Sequence, residues 1–196
     1  MYRPLLLLLF PILFLTTTAQ AQQSQPDNYC ATELSEDQKE WLARFQQEWY
    51  QSGETYTRSG TRFIPLKIHI VGTDEGFGYY RLDHLYTSIC ELNEKYAPVG
   101  FFFYIEGDII YHDNTSWYDH DWFAGNQLMN QNENDGVNMY FVESPAGNCG
   151  YFSPFGDAVA MAKSCSAPGN STIAHELGHF FNLPHTFDGW EDGEPN

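Results

Sequence analysis

Basic residues are scarce in this chain: 9 Lys and Arg stand against 26 Asp and Glu in 196 residues, for a formal net charge of −17. So acidic a surface repels phosphate backbones and argues against nucleic acid as a partner. The acidic residues are scattered rather than gathered in one block, and read as a solvated, solubilising surface. Long apolar runs are missing after residue 15, so no later stretch can span a bilayer. No internal repeat is visible. Cysteine is sparing, at four residues, Cys30, Cys90, Cys149 and Cys165. What the chain has in quantity is apolar and aromatic side chains, 42% and 17% of its residues, enough for a real core in one ordinary domain.

The single long apolar run lies at the N-terminus. Arg3 precedes Leu5–Leu15, an almost uninterrupted apolar stretch, and Thr16-Thr17-Thr18 and Ala19-Gln20-Ala21 follow. A positive start, a short apolar core and an A-x-A site make a cleavable signal peptide over residues 1–21. The expected location is secreted or periplasmic, with no membrane span after cleavage. In that compartment an even cysteine count points to disulfides. Cys149 and Cys165 bracket one short segment and form the favoured pair.

Residues 22–61 read as a pro-segment or N-terminal extension. Ser35-Glu36-Asp37-Gln38 resembles a capping box that opens a helix with Trp41, Leu42, Phe45 and Trp49 on one face. Ser, Gly and Thr then enrich residues 51–61. From there the pattern predicts a strand at Phe63–Val71 and a helix carrying Leu82, Leu85, Ile89, Leu92 and Tyr96, ended at Pro98–Gly100. Further strands are predicted at Phe101–Ile105, Ile109–His112 and Val137–Val142, an extended segment at Asp157–Lys163, and a helix from Asn170 or Ser171 to about Phe181. The order β-α-β-β-β-α is an α+β arrangement, with helices packed on a twisted sheet. Residues 113–136 are rich in Asn, Asp and Gln, and within them Asn130–Gly136 reads as a turn. Asn130–Gly136 faintly resembles a calcium loop, but Asp135 stands where that loop needs Gly, so Ca²⁺ binding is unsupported. Asn114-Thr115-Ser116 and Asn170-Ser171-Thr172 match the glycosylation acceptor. Arg58 and Arg62 are candidate processing sites.

The chemistry concentrates in Thr172–Phe187. On a helix, His175 and His179 lie one turn apart on one face, a spacing that suits two ligands of one Zn²⁺. Glu176, next to the first of them, is placed to take a proton from an attacking water and pass it to a leaving amine. His185 can join them only if the helix stops and the chain folds back. Pro184 cannot continue a helix, Leu183 before it is pushed toward extended backbone, and Asn182 tolerates the left-handed conformation that ends helices. Three His ligands leave a fourth position open, as in catalytic rather than structural zinc sites.

His175–His185 resembles the extended zinc motif of the metzincin metallopeptidases, and Leu183-Pro184-His185-Thr186-Phe187 resembles their pappalysin (cytophagalysin) branch. The strand–helix–strand order from residue 63 and Cys149-Gly150-Tyr151 are similar to that branch too. The resemblance implies a secreted zinc endopeptidase acting on proteins or peptides. Its catalytic domain would cover residues 62–196 and begin with a zincin-like N-terminal subdomain, a twisted mixed sheet with a backing helix and an active-site helix. It also implies that Val137–Val142 or Asn148–Phe152 forms the sheet edge beside the cleft. Metzincins carry a Met-turn beyond the third His, whereas Met1, Met129, Met139 and Met161 all precede His185, and the final residues read as mid-loop. The expectation is a chain lacking the C-terminal part of the domain. Cys30 has two readings, a disulfide with Cys90, which is favoured, or a pro-segment thiolate that occupies the open zinc position and holds the enzyme latent. Two alternatives stand beside the main reading: a gluzincin-type site with Glu191 or Glu194 as third ligand, and a non-catalytic secreted binding module with a structural zinc.

Overall fold

The computed structural model describes residue 32, residues 36–53 and residues 60–185. The predicted signal peptide, Cys30, Thr186, Phe187, Glu191 and Glu194 lie outside the described residues. The expected first helix is present as α1 (Glu36–Ser52). Its Trp41 and Phe45 stack on each other at 5.4 Å, and both are about half exposed.

The body is one mostly parallel sheet with helices on both faces. β1 (Arg62–Gly72) leads to α2 (Leu82–Tyr96), β2 (Phe101–Ile105) and β3 (Ile110–Asp113). Two short helices, α3 (Thr115–Tyr118) and α4 (Trp122–Leu128), flank β4 (Asp119–His120). Then come β5 (Val137–Val142), β6 (Ser144–Pro145), β7 (Gly150–Ser153), β8 (Ala158–Ala162) and α5 (Thr172–Phe180). The main sheet runs β2-β1-β5-β8-β7, with β3 taking over from β2 along the second half of β1. All its pairings are parallel except β7 with β8. β4 and β6 form a separate parallel pair.

Strands covered on both faces need apolar side chains in both directions; β5 and β8 are buried at every position and apolar at all but Asn138. Ile68, Ile70, Met139, Phe141, Val159 and Met161 point to one core, closed by Leu85, Ile89 and Leu92 of α2 and by Ile173 and Leu177 of α5. Val71, Tyr140, Val142, Ala158 and Ala160 point to the other, with Leu128, Met129 and Tyr151. Of the stripe that predicted α2, Leu85, Ile89 and Leu92 are buried and Tyr96 packs against the core, while Leu82 is exposed. That helix ends in a single turn of 3-10 helix, Ala97–Val99, and Gly100 follows at φ 70°.

The chain differs from the expectation in three places. Residues 113–129, for which the pattern predicts no element, hold α3 and α4. The side chains of Asn114 and Asp121 accept hydrogen bonds from the amides of Trp117 and Ala124, so residues that suggest turns serve here as helix caps. Val137–Val142 is not the sheet edge, since β5 lies between β1 and β8. The edge strand on that side is β7, which overlaps the other stretch named, Asn148–Phe152. Thirdly, the sheet holds more short strands than the six-element order foresaw.

The expected Cys149–Cys165 disulfide is formed, with Cα atoms 5.5 Å apart, and it ties the start of β7 to the loop after β8. Cys90 is exposed and has no disulfide partner among the described residues. The second core also contains a buried polar chain. His112 Nε2 stands 3.0 Å from His69 Nδ1, and His69 Nε2 stands 2.9 Å from Asn138 Oδ1. With Asn138 accepting, His69 donates from Nε2 and receives the His112 proton at Nδ1. Burial, the main cause, lowers the His69 pKa to about 4.

Two outcomes follow. Replacing both Cys149 and Cys165 with Ala releases a closed loop spanning 16 residues of sequence and should cost about 3 kcal/mol in denaturant unfolding. The unfolded chain protonates His69 near pH 6.5, while the folded chain resists until about pH 4. Stability of the metal-free protein should therefore fall as pH drops through that window. His69→Gln should remove this part of the slope in unfolding curves between pH 7 and 4.5, and an unchanged slope would refute the assignment.

Candidate metal centre

Helix α5 lies between α2 and the edge strand β7. Ile173 and Leu177 sit in the first core, and Phe180 meets Phe152 of β7 edge to face at 5.6 Å. That packing fixes which side of α5 carries His175 and His179.

The helix stops where the sequence implies. Asn182 has φ 63°. Its amide donates to the His179 carbonyl, and the Leu183 amide reaches back to the Gly178 carbonyl, both at 2.9 Å. These are the paired bonds of a Schellman ending, with Asn in the left-handed position usually held by Gly. The reversal carries His185 back over the helix.

The three rings consequently converge. Nε2 of His179 lies 3.1 Å from Nε2 of His175 and 3.1 Å from Nε2 of His185, and the remaining pair is 3.3 Å apart. Three nitrogens each 2.0–2.1 Å from one tetrahedral ion stand about 3.3–3.4 Å from one another. The observed triangle therefore fits a single zinc-sized cation. One tautomer is also fixed: His179 Nδ1 donates to the Leu183 carbonyl at 2.8 Å, so its proton sits on Nδ1 and a lone pair is left on Nε2. Burial, and then the neighbouring His185, lower the His175 pKa, favouring the neutral form that a ligand needs. Among the described residues this is the one cluster of His, Cys, Asp and Glu with ligand geometry.

Glu176, on the same helix, is wholly buried. Its Oε2 accepts from the Thr32 hydroxyl at 3.3 Å, and the same hydroxyl accepts from the amide of Phe152 in β7 at 2.8 Å. Thr32 is itself 6% exposed, so one residue of the N-terminal stretch is lodged between the helix carboxylate and the edge strand. The structure brings together the three His residues that the sequence pointed to, with Glu176 on the same helix. Sequence reasoning missed Thr32 and Gly150, which lies against Glu176. Neither is tied to Glu176 by any spacing, and only the Cys149-Gly150-Tyr151 resemblance touched one of them.

Comparison with known proteins agrees with this geometry. The family model Peptidase_M43, described as pregnancy-associated plasma protein-A, matches residues 109–195. An extracellular metalloprotease of Colletotrichum graminicola is 28% identical over 152 residues, covering 67% of this chain and 54% of that protein. One from Pyricularia oryzae is 28% identical over 166 residues, covering 73% and 57%. A further Colletotrichum graminicola extracellular metalloprotease aligns over 95% of this chain at 28% identity. The chain thus spans about half the length of the first two relatives. A solved structure of a Tannerella forsythia promirolysin mutant superposes with a TM-score of 0.57 at 17% identity, covering 82% of this chain and 70% of that one. The fold is similar to that of this promirolysin. Residues 109–195 are thus similar to the Peptidase_M43 family, and the chain is similar to extracellular metalloproteases.

Substitutions at Asn182 test the reversal. Asn182→Gly should keep both stability and metal affinity. Asn182→Val should cost about 1–2 kcal/mol, because a β-branched residue resists the left-handed backbone, and should weaken zinc binding measured by competition with a chelator.

Proposed function

We propose that this chain is the zinc-holding part of a secreted metalloendopeptidase, with His175, His179 and His185 as ligands and Glu176 as the proton carrier. The observation that carries the reading is the triangle of three Nε2 atoms, 3.1–3.3 Å on a side, beside a buried carboxylate on the same helix. When bound, zinc supplies a Lewis acid that polarises the scissile carbonyl and makes a water acidic enough to attack it. Glu176 takes the proton released in that attack and delivers it to the departing amine. β7 offers the place to hold substrate. It is an edge strand, and the Phe152 amide donates to Thr32 rather than to β8. An extended peptide could take that donor by adding as a further strand.

Secretion is supported by the N-terminal A-x-A pattern and by relatives named extracellular metalloproteases. Among the described residues no helix is long and apolar enough to cross a membrane. The lodging of Thr32 supports reading residues 22–61 as an N-terminal extension that must leave the cleft before substrate enters.

A zinc-holding module without turnover is the competing reading, and Glu176 weighs against it. Sequestering a carboxylate completely from water is costly, and three histidines hold a metal without it.

Metal content and cleavage together test the proposal. The full chain should hold about one zinc, with His185→Ala losing it. Glu176→Ala should retain the zinc yet cleave an unfolded protein substrate roughly 10²-fold more slowly or worse. Equal cleavage by Glu176→Ala and the unaltered chain would sink the reading.

A further inference from the structure

Gly150 is the first residue of β7, and its Cα faces the Glu176 side chain. A Cβ built there would stand 2.8 Å from Glu176 Oε1, 2.9 Å from Cγ and 3.0 Å from Cδ. Backbone conformation does not call for glycine at this position. Gly150 pairs with Met161 in the β7–β8 ladder, and its φ lies outside the left-handed range. In ladder-paired extended backbone glycine has no conformational advantage and carries an entropic cost. The three nearest atoms all belong to one side chain, Glu176, which is 0% exposed.

We propose that Gly150 is a positioning residue for Glu176: the missing Cβ is the space the carboxylate occupies, and this sets where its oxygens stand relative to the three histidines. The inference rests on the reading of Glu176 as proton carrier. A proton carrier works only within hydrogen-bond reach of the group it serves, and displacements of about 1 Å at such sites carry large rate penalties. Any side chain at 150 must move either the carboxylate or the strand. The strand is held on one side by β8, and at its start by the Cys149–Cys165 disulfide. The Glu176 side chain has three rotatable bonds and yields first. Its displaced carboxylate would remain buried and folded in place, but would no longer lie where the proton is released.

The test is a four-protein cycle in the full chain: the unaltered protein, Gly150→Ala, Glu176→Ala and the double variant. Zinc content, thermal unfolding and cleavage are measured on each. All four should keep about one zinc. Gly150→Ala alone should lower Tm by about 3 °C or more. In the Glu176→Ala background, where the space is vacated, the same change should leave Tm unchanged or raise it, because alanine in a compatible conformation restricts the unfolded chain. Gly150→Ala should lower kcat about tenfold or more while KM stays within about twofold, the pattern of a group misplaced for the chemical step rather than for binding.

Equal Tm losses in both backgrounds, or an unaltered kcat in Gly150→Ala, would overturn the proposal. If Gly150→Ala fails to fold and the double variant folds, the steric coupling is established directly. If neither folds, the contact that matters is not Glu176, and the proposal fails. Unimpaired cleavage by Glu176→Ala would remove the proton-carrier reading, while the Tm comparison would still decide whether Gly150 places that side chain.

Discussion

The site depends on a reversal of chain direction within the few residues after α5. Without it, His185 would continue away from His175 and His179, and two imidazoles would remain where three are needed. The reversal is local in origin. Asn182 takes φ 63°, two backbone bonds close the helix end, and Pro184 prevents helix from resuming. It also serves the ligands directly, since the turn presents the Leu183 carbonyl to His179 Nδ1. One stretch of backbone thus ends the helix, returns the third ring and fixes the tautomer of the second. Three like nitrogens held this close, two of them part-buried or buried, make a poor arrangement for imidazoles alone and a good one for imidazoles around a cation.

A second constraint comes from the sheet. β7 is its antiparallel member and lies at the edge beside α5. Gly150 and Phe152 face the helix side, against Glu176 and Phe180, while Tyr151 points into the opposite core. The alternation of one four-residue strand therefore assigns neighbouring residues to the carboxylate, to the far core and to helix packing in turn. A slip of one residue in pairing with β8 would put Tyr151 against Glu176. The Cys149–Cys165 bridge at the start of the strand holds that register from the side.

Much of this could be read from the sequence, and the limits have physical reasons. β1, α2 and α5 carry strong periodicity and clear ends, and the chain forms them nearly where expected. The histidine cluster was legible because its residues lie within eleven positions and depend on local stereochemistry. The short elements were not. α3 and α4 begin at Asn114 and Asp121, whose side chains cap helices as readily as they make turns, and only tertiary packing decides between the two. The parallel order β2-β1-β5-β8 joins strands distant in sequence, and periodicity carries no information on partner choice. The same holds for Thr32 and Gly150: their meeting with Glu176 belongs to packing and has no local signal.

The seven histidines show how a converging cluster differs from ordinary buried imidazoles. His69 is satisfied at both nitrogens, by His112 and Asn138. His120 is satisfied likewise, by the Trp117 carbonyl and the Tyr151 hydroxyl. Each is a completed hydrogen-bond chain inside the second core, with burial pressing it toward the neutral form. His179 begins in the same way, with Nδ1 given to a carbonyl, but its Nε2 meets the Nε2 atoms of two other histidines. With the His179 proton on Nδ1, its lone pair points into that triangle, where hydrogen bonding among the imidazoles would need a proton from His175 or His185 and could not join all three at once. The residue type is therefore a weak guide to function in this chain. What separates structure from chemistry is whether the second nitrogen has a complementary partner or converges with its equals.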